Sequence, residues 1–246
     1  MLTAAIVLTA SGILAPQHIQ AATITAGSNA NALSAALNVN GSASSLPNQA
    51  VASGTAPPKY TKAMKVPNYS KTATLSGLTV TVTAANINDT ASSAGTDAKG
   101  GLTAISGASI DSINATLSSP LGTALTVAAT KLVSGASFAT TKAGVGTATG
   151  TTTIGSLTIN SALFGINNLK FPLPSTPNNH TPGPNKILYN NSDNSVVLYL
   201  NRQTKKSTAG KVSSIAVSAV TLHVTNFKYS SFTISGDINV ATSNAN

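Results

Sequence analysis

From Ala73 onward, apolar and polar residues alternate with a period of two, and this rhythm limits the fold more than any other feature. Leu78, Val80 and Val82 take one face while Thr79, Thr81 and Thr83 take the other. Similar runs follow at 102–110, 112–117, 125–133, 137–147, 152–159, 163–171, 186–189, 195–202, 212–224 and 228–240. Gly, Asn, Ser and Pro mark the joints, and no helical period intervenes. Many strands at short spacing predict an all-β, antiparallel β-sandwich with jelly-roll-like or Greek-key connections. One run resists assignment. Around Asp111 neither the Ile110, Ser112, Asn114, Thr116 face nor the Asp111, Ile113, Ala115, Leu117 face is cleanly apolar.

Composition sets what can fill and decorate such a sandwich. Aromatics are 4% and Trp is absent, so Val, Ile, Leu and Ala must make the core. Cys is absent, which excludes disulfides and thiolate metal sites. Charged residues are 8%, against about 25% in ordinary soluble domains. The carboxylates are Asp89, Asp97, Asp111, Asp193 and Asp237, without any Glu, and Arg202 is the single Arg. The net charge of +9 therefore comes from lysines left unbalanced. Nucleic-acid readers use Arg forks and stacking aromatics, both scarce here, so no nucleic-acid partner is expected. A chain with few carboxylates loses little stability in acid, which predicts tolerance of low pH.

Residues 1–21 read as a secretory signal peptide. Leu2 to Leu14 form a short apolar run, Pro16 breaks it, and Ile19-Gln20-Ala21 resembles a cleavage site. The run is short for a membrane span, and no later stretch is long enough, so no stable span is expected after cleavage. Residues 22–72 read as an extended N-terminal arm or linker, because Pro57, Pro58 and Pro67 deny a continuous helix or central strand. Residues 73–246 form the sandwich domain, with the proline-rich loop Pro172 to Pro184 on its surface.

No constellation for catalysis stands out. His180 lies in the proline-rich loop and His223 in a strand, with no G-x-S-x-G elbow. A lone strand histidine is ordinarily a packing or hydrogen-bonding residue. The five Asp are scattered, and nothing in the sequence pairs them for glycosidase chemistry. Asn86, Asn88, Asp89 and Asp97 offer oxygen ligands to calcium, but their spacing does not fit a calcium loop, and a self-capped turn explains them better. No catalytic residue, metal or cofactor is therefore assigned. Sequons at Asn40, Asn68, Asn88, Asn114, Asn179 and Asn190 are candidate glycan attachment points. Lys59, Lys62, Lys65 and Lys71 are candidate contacts to an acidic partner, with Tyr60 and Tyr69 beside them.

A set of short motifs runs through the last third: Gly155 to Asn160, Pro184 to Ile187, Val196 to Gln203, Ser214 to Val224 and Gly236 to Ala241. Their order resembles the bacterial choice-of-anchor P proteins over roughly 74–241. Those proteins show a G-L-T-V-N-G strand, a P-N-T segment, an L-N-E-Q strand, a V-N-A-L-H-V strand and a closing G-D-V-V strand. Arg202 stands where that family often has Glu, and Ser218 where it has Asn. The resemblance implies an exported, β-rich surface protein and marks His223 as a signature position.

These readings converge on a secreted, non-enzymatic structural or adhesive protein of the cell exterior. A filament version has 22–39 add as a donor strand to a neighbour's sheet edge. On that expectation, deleting 22–45 abolishes polymers and leaves the monomer folded. The alternative is a carbohydrate- or cell-wall-binding module using Lys59, Lys62, Lys65, Tyr60 and Tyr69.

Overall fold

The computed structural model describes residues 26–49, 51–56, 58–75, 78–96, 101–119, 122–141, 146–208, 211–229 and 232–246. The expected signal peptide lies outside them, as does Asp97. The chain is all-β and forms two antiparallel sheets packed face to face. One sheet holds β10 (Lys186–Asn190), β11 (Val196–Thr208), β12 (Lys211–Tyr229), β13 (Phe232–Ala245), β1 (Ala26–Val39) and β2 (Ser42–Gln49), in that order. β3 (Ala52–Ala56) continues β2 along the other half of β1. The second sheet is a run of neighbours: β4 (Thr61–Leu75), β5 (Leu78–Thr96), β6 (Leu102–Ser119), β7 (Gly122–Thr140), β8 (Gly146–Ser161) and β9 (Ile166–Phe171). The sandwich is as expected, and its connections are those of two meanders, with β1 brought beside β13.

The segment expected as an arm is extended but not separate. From Ala26 it runs between β13 and the β2–β3 pair, inside the first sheet. Leu33, Ala35, Leu37 and Val39 alternate inward and are buried. Asn40 and Gly41, both at positive φ, make the two-residue turn that folds β2 back on β1. Pro57 lies outside the described residues, and the other two prolines fall where a ladder tolerates them. Pro58 lies in the crossing between sheets, and Pro67 lies on β4, the edge strand. Deleting 22–45 would thus remove an interior strand and its core residues, so the expectation of a folded monomer is withdrawn.

The ambiguity around Asp111 has a structural cause that spans the molecule. On β6 both Ile110 and Ile113 point inward, three residues apart instead of two or four. The same step of three joins Ala84 to Ile87, Ala129 to Leu132, Ile154 to Leu157, Val217 to Val220 and Val240 to Ser243. Registers place the skipped residues in one row across each sheet. The row is Pro67, Asn86, Asp111, Lys131, Gly155 in one and Asn201, Ala219, Ala241, Ala32 in the other. Every second strand in these rows carries a left-handed residue: Asn86, Lys131, Asn201 and Ala241, with φ between 49° and 51°. Asn tolerates that region, whereas Lys and Ala are held there by their surroundings. Gly155 is glycine because a Cβ there would meet the Thr130 carbonyl oxygen at 2.9 Å and the Lys131 Cβ at 2.8 Å.

The interior holds two clusters. The upper, of Leu, Ile and Val, includes Leu157, Leu198 and Leu200 above the rows and reaches just past them to Ile110 and Ile154. Below lies a small cluster with Ala26, Ala104, Ala136, Phe138, Ile215 and Val217. Between them the sheets are joined by polar side chains. Ser134 Oγ lies 2.7 Å from Ser243 Oγ, Ser106 Oγ donates to the Asn244 carbonyl at 2.8 Å, and Thr152 Oγ1 donates to Asn201 Oδ1 at 3.1 Å. Asp89 belongs to the same belt and is 0% exposed. Its polar neighbour is the Ala32 backbone of β1, and neither carboxyl oxygen completes a well-formed hydrogen bond.

Candidate functional site

Among the described residues, the densest grouping of ionisable side chains lies on the outer face of the first sheet. Facing residues of β12 and β13 bring His223 opposite Asp237. His223 Nδ1 lies 2.6 Å from Asp237 Oδ1, and Arg202 Nη1 donates to the same oxygen at 3.1 Å. Arg202 also sits 5.2 Å from the Tyr199 ring centre, a cation–π contact. His223 Nε2 lies 3.0 Å from Thr225 Oγ1. With Nδ1–H donating to Asp237, a neutral imidazole accepts the Thr225 hydroxyl. A ladder continues the array along the face: Thr221 Oγ1 donates to Asn239 Oδ1, and the Ser218 and Thr242 hydroxyls pair.

Carboxylate, imidazole and hydroxyl in sequence have the connectivity of a hydrolytic triad. The backbone amides beside this hydroxyl are occupied. Thr225 N–H donates to the Ser195 carbonyl and Asn226 N–H to Ser235 Oγ, so neither faces a developing oxyanion. What the array offers is a fixed set of charges, each about one-third exposed, on a sheet face.

A second grouping lies on the outer face of the other sheet, at its row of skipped residues. Lys65, Val66, Pro67, Asn86, Ile87, Asn88, Ser109 and Asp111 line a hollow of about 370 Å³. Asn86 Nδ2 donates to Asp111 Oδ2 at 2.9 Å, and Asn88 Oδ1 is buried without a partner. The calcium ligands considered from sequence do not assemble here. Asp89 points into the interior, opposite to Asn88, and no group of three or more acidic or histidine side chains suited to a metal occurs among the described residues.

The lysines nominated from sequence are exposed but do not converge on a pocket together. Lys62, Lys65 and Lys71 lie along β4, the open edge, and Lys59 lies in the crossing before it. Lys62 pairs with buried Ala91 and Lys71 with buried Val82, so both project from the inner side of the edge strand. Inward-facing edge charges, together with Pro67, deter other chains from adding a strand. The tyrosines are engaged in packing. Tyr60 hydroxyl lies 2.7 Å from Ser28 Oγ and its ring covers Gly54. Tyr69 packs against the core, and burial raises its pKa.

Of the sequon residues, Asn68, Asn114 and Asn179 are exposed. Asn40 is exposed and caps the β1–β2 turn by accepting the Thr233 N–H, Asn190 donates to Asn194, and Asn88 sits in the hollow. His180 has a structural role: its Nδ1 lies 3.0 Å from the Ile154 carbonyl, and its own carbonyl accepts the Ile154 N–H. Asp193 holds the turn before β11 by accepting from Ser195 N–H and Oγ, which lowers its pKa.

The grouping of Arg202, His223 and Asp237 escaped the sequence reading because its members are far apart in the chain. The one available signal was that all three fall inside the motifs Val196 to Gln203, Ser214 to Val224 and Gly236 to Ala241. No helix of the described residues is long and apolar enough to cross a membrane. No family model matches the chain, and no curated protein or solved structure matches it either.

Proposed function

We propose that this chain is an exported, non-enzymatic structural or adhesive protein of the cell exterior that meets its partner through the outer face around Arg202, His223 and Asp237. One observation carries the reading. A chain with one arginine and five carboxylates brings that arginine, a carboxylate and a histidine to a single exposed spot. Exposed ion pairs stabilise a fold by about 0–1 kcal/mol, so stability is a weak reason for the arrangement. The resemblance to choice-of-anchor P proteins supports the same reading, since His223 and Asp237 both fall on its motifs. Other motif residues have structural roles. Asn201 and Gln203 clamp β11 to β8, and Asn185 accepts the Gln203 N–H.

The test is co-sedimentation of the protein with isolated envelopes of the producing cells. Saturable binding that falls about tenfold, equivalent to about 1.4 kcal/mol, in the Arg202→Gln, His223→Gln, Asp237→Asn variant is expected, with unchanged thermal unfolding. Absent binding, or binding unaffected by the variant, overturns the proposal. The filament version takes the form of a swap, in which β1 of one copy fills the slot between β13 and β2 of the next. Negative-stain images of concentrated protein should then show regular fibres, and dispersed particles would refute it.

A further inference from the structure

We infer that the hollow between β4, β5 and β6 is a binding site for a single pyranose unit with a vicinal diol, and that a uronic acid is preferred over its neutral counterpart. The inference rests on the adhesive reading only for the protein's location, because the hollow lies on the opposite outer face from Arg202, His223 and Asp237.

The hollow is built by register. Lys65, Asn88 and Ser109 face one another across β4, β5 and β6, and Pro67, Asn86 and Asp111 form the next row. Both rows point outward, because Ile87 and Ile110 between them are buried. Left-handed Asn86, in the second row, interrupts the strand where the hollow forms. Its volume, about 370 Å³, falls in the range of small-ligand sites.

The polar groups there want different things. Asn88 Oδ1 lies beneath the surface, so the group this side chain offers the hollow is its Nδ2 amide, a donor. Asp111 gives one oxygen to Asn86, and its Oδ1 makes no hydrogen bond among the described residues. The adjoining amide and carboxylate match two neighbouring hydroxyls, each able to donate and accept. Lys65 forms no ion pair among the described residues and adds a cation at the rim. Pro67, exposed on the edge strand, supplies an apolar wall suited to the C–H face of a sugar ring. A simple anion would be repelled by the Asp111 carboxylate and leave its free oxygen unmet. A bare cation would face Lys65 with a single carboxylate to hold it. A polyol with an apolar face satisfies all of them.

The experiment is ligand-observed NMR and calorimetry on the full chain with glucuronate and with glucose as probes. Millimolar binding of both is expected, tighter for glucuronate. Asp111→Ala should weaken both by about tenfold or more, and Lys65→Gln should erase the difference between them while sparing glucose. Ser109→Tyr fills the hollow without touching Asp111 and should also abolish binding, which covers failure of the Asp111 variant to fold. The Arg202→Gln, His223→Gln, Asp237→Asn variant should bind both sugars normally, whatever its behaviour with envelopes. Absence of binding by either sugar, or binding unchanged in both Asp111→Ala and Ser109→Tyr, overturns the inference.

Discussion

The two ends of the sandwich interior are held by different physics. In the upper cluster nine of thirty-four buried residues are alanine, and the rest are mostly Leu, Ile and Val. In the lower cluster six of ten are alanine. A buried Leu or Ile side chain contributes about 1.5–3 kcal/mol on burial, and alanine much less. The upper half therefore coheres through branched aliphatic surface. An apolar void of about 50 Å³ remains among residues such as Leu33, Ala35, Ile113, Leu198 and Leu222. The lower half buries little and lies against the hydroxyl belt, where Ser106, Ser134 and Thr152 bond across to the other sheet. Hydrogen bonds there take over work that apolar area does above. Asp89 shows the hazard of this solution, since it occupies the belt without a well-formed partner.

The largest effect that would separate the two regimes is a dependence of stability on pH. Burial raises the Asp89 pKa from 3.8 to about 8. Between those values the folded state holds a proton that the unfolded state has released, so stability falls as pH rises. The slope is about 1.4 kcal/mol per pH unit. Urea unfolding from pH 4 to pH 7 should show a loss of roughly 4 kcal/mol, and Asp89→Asn should flatten the curve. A flat wild-type curve would mean that the carboxyl is solvated. Asp193 works in the opposite sense below that range. Its lowered pKa gives stability above its ordinary value that is lost as pH falls, and it is fully exposed, so the effect is small.

Next in size is Leu200→Ala in the upper cluster, which should cost about 3 kcal/mol at any pH. Ser134→Ala strips Ser243 of its hydroxyl partner in the belt and should cost about 1–2 kcal/mol. If the two variants destabilise equally, the division of labour between area and hydrogen bonds fails. The smallest effect has the opposite sign. Lys131 is exposed and held at a φ of 49°. Lys131→Gly should raise stability by about 1 kcal/mol in the same urea assay.

Much of the sandwich was legible because period-two alternation survives within each half-strand. Leu78, Val80 and Val82 were enough to start β5. What the alternation hid was its own reset. Runs at 102–110 and 112–117 read as two strands because Asp111 shifts the inward face by one residue, yet β6 passes straight through. Asparagine at 86 and 201 was a usable hint of left-handed backbone, whereas Lys131 and Ala241 carried none. β1 was mistaken for an arm because small residues such as Ala30, Ala32 and Ala35 are weak markers of burial, although all three are buried. The charged array was illegible for a different reason. His223 meets Asp237 only in a register that depends on the irregularity between Val224 and Phe227. The hollow needed the same kind of information, since it joins residues from three strands.

The position of β1 beside β13 also sets how the sandwich answers to force. Gly27 and Asn246 exchange backbone hydrogen bonds at 2.6 and 2.9 Å, so these two points lie side by side at one end of the molecule. A pull applied between them would open the β1–β13 ladder like a zipper, loading one pair of bonds at a time. A pull that enters at the far end, near the Asn40–Gly41 turn, and leaves through Asn246 runs along the strands. It loads the whole ladder from Ser28–Ala245 to Val39–Ile234 in shear. The same fold is thus weak as a link in a chain and strong as a tethered head.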